Sequence, residues 1–504
     1  MNEKYLKIKK LFDLAIQHHK KNNFLSAEKL YKEILEMNVN DLPTLNNLGN
    51  VLKELKKYKE AIFYYEKALK INPKDIVTNY NFGLLFNKLE EFQKSASFYE
   101  KIIKIDPKHI QSYNALMDIY EKTSDHEKLK KIIVHAKTFL KNNPIIKLYE
   151  GNLLYKNEKF NEAIINLESI AFDVNQNRQE RFRLFTLGKC YDRTKNAEKA
   201  FNCFIKANDI SFQLKNNNVN KNFYLKEIEN REKFFSKLKK EKWPLLEAFD
   251  ERPDPIFMIG FPRSGTTLLD TILRSHPSIE VIEEKSMVHE TIRSLNELTK
   301  NNFENLNKIE IDQIKKIRNI YFKNLDSHFP NKNNSKICID KFPLNIIHVG
   351  EIFRIFPKAK FIVSLRHPCD CVLSCFIQIF SLNNAMANFL NLEDSSKLYD
   401  LVMRLWIQYT SIFPINYHEV RYENLVENLE TTVRSLLKFL ELPWHNSVLK
   451  FYETAKKGRR IKTPSYDQVT KPIYLKSTGN WKIYEKQITN IYPTLKPWIK
   501  KFDY

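Results

Sequence analysis

Small and apolar side chains recur through the first half of the chain at a fixed step of 34 residues. That step separates Gly49 from Gly83, Tyr58 from Phe92, Ala61 from Ser95, and Pro73 from Pro107. One step back lie Ala15, Phe24 and Ala27; further steps reach Met117, then Gly151 with Phe160 and Ala163. After a longer step of 37, Gly188, Ala197, Ala200 and Ala207 keep the internal spacing. Small residues suit places where two helices cross closely, an aromatic fills the gap inside each unit, and proline ends the second helix. The pattern predicts an α-solenoid of about six helix pairs over residues 1–211. Such an array exposes a concave surface suited to an extended peptide or another protein. Residues 212–251 are rich in Lys and Asn and weakly helical, as in LKKEKWPLLEAF, and read as a linker that ERPDP ends.

The pattern then changes, and residues 252–504 read as a second domain. PIFMIGFPRSGTTLLDTILRSHP predicts a short buried strand from Ile256 to Ile259, a tight turn, and a helix from near Thr266. A strand that feeds a loop and then a helix N-terminus is an anion site, because backbone N–H groups converge there and the helix dipole favours negative charge. Gly260 and Gly265 have the spacing of a nucleotide phosphate loop, but Thr266 stands where that loop needs lysine, and the cation is Arg263 inside the turn. FPKAKFIVSLRHPCDCVLSCF predicts another buried strand running into a loop and helix, with Arg366 at the strand end and Ser374 eight residues on. SIEVI, before Glu283 and Glu284, is also strand-like. These elements predict an α/β, P-loop-like domain with a central parallel sheet.

Composition narrows the classes. Hydrophobic residues at 43% and charged ones at 28% are globular values. No run approaches the roughly 18 apolar residues of a membrane span, and the N-terminus lacks an apolar signal core, so a cytoplasmic chain is expected. Six cysteines cannot frame the fold with disulfides, and Cys369, Cys371 and Cys375 have no zinc spacing, so they are expected to be buried small residues. Nine glycines in 504 residues is under a third of the usual ~7%, so each is expected to meet a specific packing or backbone need. The net charge of +22 favours an anionic ligand, yet no long basic block stands out, and nucleic acid is not expected as a partner. His276, His289, His348 and His367 form no ligand spacing, so no metal is implied.

The 34-residue pattern resembles the tetratricopeptide repeat. PRSGTT after a strand resembles the 5′-phosphosulfate loop of sulfotransferases that use 3′-phosphoadenylyl sulfate (PAPS). That resemblance implies that Arg263, Ser264, Gly265, Thr266 and Thr267 hold the 5′-phosphate. It also implies that Arg366 and Ser374, a guanidinium fork and a hydroxyl, hold the 3′-phosphate. VRYENLVENLE resembles the family's Tyr-Glu-x-Leu segment and puts Tyr422 at the nucleotide. SYDQVTKPIYLKSTGNW resembles the C-terminal loop that closes over the nucleotide, with Lys476, Gly479 and Asn480.

The second half is most similar to the protein-tyrosine sulfotransferases. There the catalytic carboxylate is the second Glu of a Glu-Glu pair, 21 residues beyond the loop arginine, which here is Glu284; the neighbouring Glu283 is expected to be solvated. KICIDKFPLN puts Lys341, and SYDQVTKP puts Ser465, in the family's transition-state roles beside Arg263. Gln378 and Asn480 stand where the family has cations, though Lys476 and Lys482 lie close to the second. KSMVHETIR replaces an arginine-rich segment that holds acidic peptides, leaving Lys285 and Arg293 for that work. The implied reaction carries a sulfuryl group from PAPS to a hydroxyl, first of all protein tyrosine, leaving adenosine 3′,5′-bisphosphate. A carbohydrate or lipid hydroxyl is the alternative acceptor, and a repeat scaffold with a degenerate enzyme domain the alternative function. The implied partner is an acceptor protein or peptide presented by the solenoid, and a homodimer is among the arrangements the sequence permits.

Overall fold

The structure, a computed structural model, describes residues 3–215, 218–238, 252–328, 336–457 and 478–504. It divides into two compact units, Met1–Gln179 and Glu180–Tyr504. The helices from Glu3–Lys20 to Phe160–Glu168 form the first, packed in sequence as hairpins. Each repeat glycine faces a large side chain sixteen residues later in the partner helix. A Cβ on Gly49 would lie 2.6 Å from Tyr65, on Gly83 2.8 Å from Tyr99, and on Gly151 2.6 Å from Leu167. Ala15 and Tyr31 stand in the same relation and are both buried, as are Met117 and Ile133, where the larger first residue meets a smaller second one. The aromatics singled out in the sequence, Phe24, Tyr58, Phe92 and Phe160, are only half-buried, and the inter-helix gap is filled two turns further along the same helices, by Tyr31, Tyr65, Tyr99 and Leu167.

The repeat is also written in the backbone. Asn22, Lys56, Glu90, Ser124 and Glu158 all have φ between 53 and 62°, one per hairpin turn at the 34-residue step, and Lys195 follows with φ 61°. A residue with a Cβ in this left-handed region costs roughly 1–2 kcal/mol, which the packed helices on either side offset. These turns do without glycine.

The second unit opens with the helices Asn177–Arg193 and Ala197–Gln213, whose Gly188 meets Phe204 at 2.7 Å in the repeat manner. The helix Lys221–Phe235, inside the stretch read as a linker, is packed into the same unit. Its buried Arg231 donates to Glu351 Oε1 at 2.8 Å and contacts His348 Nδ1 at 3.1 Å. Burial raises the Glu351 carboxyl, but the Arg231 guanidinium prevails and holds it at about 2.

Among the described residues, five parallel strands form the sheet: β1 (Ile256–Gly260), β2 (Ile279–Glu283), β3 (Ile337–Lys341), β4 (Lys360–Leu365) and β5 (Asn416–Arg421). Their order is β2-β3-β1-β4-β5. The chain leaves β1 toward one edge and returns past it to β4, so the loops after β1 and β4 diverge between these two neighbours. In open α/β sheets, ligands bind in the crevice at such a switch point.

On β3, Asp340 is buried, paired in register with Phe257 of β1, and accepts a hydrogen bond from Tyr321 Oη at 3.1 Å. Burial pushes its carboxyl up to about 7 against that hydrogen bond. Because the folded value exceeds the unfolded one, this contribution to stability is complete below pH ~4 and lost as pH rises through about 7. Asp340→Asn is therefore expected to stabilise the second unit at pH 8 by an amount on the order of a few kcal/mol, and not at pH 4. Urea midpoints of the two proteins at both pH values check this.

Candidate active site

The loop after β1 is fixed by close backbone approach. A Cβ on Gly260 would lie 2.6 Å from the Ser364 carbonyl oxygen of β4. Gly265 has φ 101°, a left-handed conformation suited to glycine, and a Cβ there would lie 2.5 Å from the Tyr422 ring. It starts the helix Thr266–Arg274 without a side-chain cap, so the first-turn N–H groups, which have no acceptor within the helix, face the loop. Ser364 Oγ donates to the Ser264 carbonyl at 2.9 Å and ties the turn to β4. Ser264 is 1% exposed, and its Oγ has no hydrogen-bond partner among the described residues.

The loop after β4 meets this turn. Arg263 Nε donates to Ser374 Oγ at 3.0 Å, and Arg366 Nη1 donates to the Arg263 carbonyl at 3.1 Å. The Arg366 guanidinium lies 4.7 Å from the Tyr422 ring centre. Arg263, Ser264, Gly265, Arg366, Ser374 and Tyr422 thus converge, although they span three separate stretches of sequence. Burial, with the neighbouring Arg366 cation, pulls Arg263 below its ordinary value. Burial also acts to lower Arg366, but Asp370, Cys371, Tyr422 and Glu423 raise it overall. Two guanidiniums, an unpartnered buried hydroxyl and an uncapped helix N-terminus make a donor set that fits a phosphate-bearing ligand.

A second cluster stands at the ends of β2 and β3. Lys341 is 0% exposed, and its Nζ lies 3.2 Å from Glu283 Oε1 and 3.1 Å from Glu284 Oε1. Glu284 follows β2 with φ 47°, its N–H donating to the Lys341 carbonyl at 2.8 Å. The Glu283 side chain is 11% exposed and that of Glu284 43%. The expectation that Glu283 is the solvated one is therefore corrected: it ends β2 in register with Lys341, and strand pairing buries it. Asp270, on the helix Thr266–Arg274, accepts from both Arg274 Nε and Nη2, at 3.0 and 2.8 Å. Burial pushes it up to about 6, while Arg274 and then Lys341 pull it down. It connects the helix Thr266–Arg274 electrostatically to the lysine.

Of the C-terminal loop, Ser465 and Lys476 lie outside the described residues. Gly479 and Trp481 donate their backbone N–H groups to Asp370 at 2.8 and 3.0 Å, which sets Asn480 between two anchored amides. Trp481 stacks on His367, 4.9 Å between centres. Asp370 and His367 gave no sequence signal, because their partners are more than a hundred residues away. Gln378 donates to the Ile379 carbonyl at 3.4 Å, while Lys482 acts electrostatically on His367 beside Arg366. Arg293 pairs with Glu290 on its own helix. Cys369, Cys371 and Cys375 are buried as expected, and burial pushes Cys369 up to about 12. Among the described residues, no helix is long and apolar enough to cross a membrane.

Residues 255–446 match the model of the sulfotransferase family, and residues 43–75 and 77–109 match models of the tetratricopeptide repeat. The chain is 31% identical over 330 residues to an uncharacterized protein of Aquifex aeolicus (strain VF5), covering 63% of this chain and 42% of that protein. It is 27% identical over 241 residues to a protein-tyrosine sulfotransferase of Drosophila melanogaster, covering 45% of this chain and 46% of that one. The chain thus spans less than half the length of these two relatives. Among solved structures, the sulfotransferase domain from the Synechococcus PCC 7002 olefin synthase covers 48% of this chain and 90% of that domain, with 20% identity and a TM-score of 0.35.

Proposed function

We propose that this chain, with tetratricopeptide repeats in its N-terminal half and a sulfotransferase-family domain in its C-terminal half, moves the sulfuryl group of PAPS to a hydroxyl, the acceptor being protein tyrosine. The observation that carries this reading is the meeting of Arg263, Ser264, Arg366, Ser374 and Tyr422 at the switch point, with Glu284 and Lys341 at the neighbouring strand ends. The donor supplies a sulfuryl group whose sulfur accepts the acceptor oxygen while the bond to the 5′-phosphate oxygen breaks.

The protein's share is positioning and charge stabilisation. Ser264, Thr266, Thr267 and the loop N–H groups bind the 5′-phosphate. Arg366 and Ser374 bind the 3′-phosphate, and Tyr422 backs the Arg366 guanidinium. Glu284, the more exposed carboxylate, takes the proton of the acceptor hydroxyl. Arg263, Lys341 and Ser465 stabilise the charge that develops on the transferring group and leaving oxygen, and Lys476, Gly479 and Asn480 bind the nucleotide. Support for tyrosine comes from the protein-tyrosine sulfotransferases that the C-terminal half resembles.

Incubation with 35S-labelled PAPS and a cell extract tests the reading. Label on protein tyrosine supports it, label on glycan or lipid replaces the acceptor, and no labelled product overturns it. The repeats raise the local concentration of a macromolecular acceptor. Residues 177–504 are therefore expected to retain nucleotide binding and to lose turnover on the labelled protein by about tenfold or more. The cut belongs before Asn177 rather than after the helix Lys221–Phe235. Losing Arg231 would leave Glu351 buried without its main cation, at a cost of roughly 3–5 kcal/mol.

A further inference from the structure

Lys341 contacts two carboxylates, and the proposed reaction asks only one of them to accept a proton. The acceptor O–H bond breaks, its proton goes to Glu284, and the oxygen's electron pair forms the bond to sulfur. Glu284 is then neutral, and a fully buried ammonium must rely on whatever anions remain. The two glutamates are not equivalent in this respect. Glu283 lies within β2, paired in register with Lys341 of β3, and is largely buried. Glu284 lies beyond the strand end, in a left-handed backbone conformation, and is far more exposed.

The charges around them divide the same way. The helix Thr266–Arg274 contributes Asp270 and Arg274, joined by a bidentate ion pair, and Glu280 adds a more distant charge near Arg274. Glu280 is offset by Lys336, 3.7 Å away, and Asp270 and Glu283 balance Arg274 and Lys341, which leaves Glu284 as the surplus negative charge among these described groups. Protonating Glu284 takes the cluster to neutrality, without leaving a buried cation unbalanced. Had Glu283 been absent, the same proton transfer would leave a net positive charge in a buried site.

We propose that Glu283 is a positioning residue, holding Lys341 charged and in place while Glu284 takes up the acceptor's proton. This rests on the reading of Glu284 as the base. It agrees with the electrostatics of Lys341: burial acts to lower its proton affinity, yet Glu284, Asp270 and Glu283 together raise it.

The test follows two quantities in the full chain. One is kcat against pH, with labelled PAPS and a tyrosine peptide flanked by aspartates. The other is the titration of the Lys341 ammonium itself, by NMR of protein carrying 13C at lysine Cε, the resonance being identified by its loss in Lys341→Met. Glu283→Gln is expected to move both the alkaline limb of kcat and the Lys341 midpoint to lower pH by about one unit, tenfold in proton concentration. Binding of adenosine 3′,5′-bisphosphate should be unchanged. Glu283→Asp keeps the charge at a longer reach and should shift both in the same direction by less. A Lys341 midpoint that does not move in Glu283→Gln overturns the proposal. Should that variant fail to fold by circular dichroism, an unmoved midpoint and unchanged kcat in Glu283→Asp overturn it instead. Activity surviving in Glu284→Gln would remove the base reading, a result separate from an unmoved Lys341 titration.

Discussion

Arg366→Ala is expected to weaken binding of adenosine 3′,5′-bisphosphate by about 1.5–3 kcal/mol, roughly 10- to 150-fold, the range for a charge-assisted hydrogen bond. The same change should cost much less for adenosine 5′-monophosphate, which lacks the 3′-phosphate. It should still cost something, for a structural reason. Arg366 donates to the Arg263 carbonyl and lies on the Tyr422 ring, so its loss loosens the turn that also holds the 5′-phosphate. Arg366→Lys separates the two effects. It keeps a cation but not the planar fork, so it should recover part of the bisphosphate affinity while leaving the turn contact imperfect. Calorimetric titration with both nucleotides measures the difference. Equal losses for the two would make Arg366 a brace for the loop and remove it from the 3′-phosphate.

What the sequence disclosed about the fold follows from how local each signal is. The repeat was legible because close helix crossing demands a small residue at one fixed place per unit, and Gly49, Gly83, Gly151 and Gly188 supply it. Which large residue meets each glycine was not legible. The partner is set by the hairpin's closing geometry, and the turns that set it use Asn22, Lys56, Glu90, Ser124 and Glu158, of which only Asn22 is a residue type that favours the left-handed region. The strand from Ile256 and the helix from Thr266 fall where the apolar run and the Gly265 turn place them. The strand order is a property of long-range pairing, and no local pattern encodes it.

The candidate site divides similarly. Arg263, Ser264 and Gly265 lie in one short motif, and Arg366 and Ser374 share one strand-to-helix turn, so each group is readable by itself. That Arg263 touches Ser374 while Arg366 touches the Arg263 carbonyl emerges only when β1 and β4 become neighbours. Glu283 shows the limit most clearly. Adjacent glutamates look alike in a sequence, and only the register of β2 on β3 buries one and releases the other. Asp270 is a similar case. Its i,i+4 pairing with Arg274 suggests a helix-surface ion pair, whereas the fold buries it beside Lys341.

Glu284→Gln should lower kcat by roughly 10²-fold or more, the usual scale for losing a positioned proton acceptor. The substitution is close to neutral for everything else at the site. Glutamine has the same length, its carbonyl can still accept from Lys341 at the 3.1 Å position, and it meets the left-handed backbone no worse than glutamate. Lys341 also keeps Glu283, so the buried ammonium retains a carboxylate partner. The dissociation constant for adenosine 3′,5′-bisphosphate should therefore stay nearly unchanged, because none of the groups assigned to either phosphate contacts Glu284 among the described residues. Glu283→Gln should cost less at neutral pH, and its deficit should grow as the medium becomes alkaline and Lys341 loses its proton. Rapid-quench measurement of a single turnover with labelled PAPS separates the chemical step from product release. A Glu284 variant that turns over normally while the Glu283 variant is inactive at all pH values would exchange the two roles. Two fully active variants would remove this pair of carboxylates from proton transfer and assign the acceptor's proton to another group.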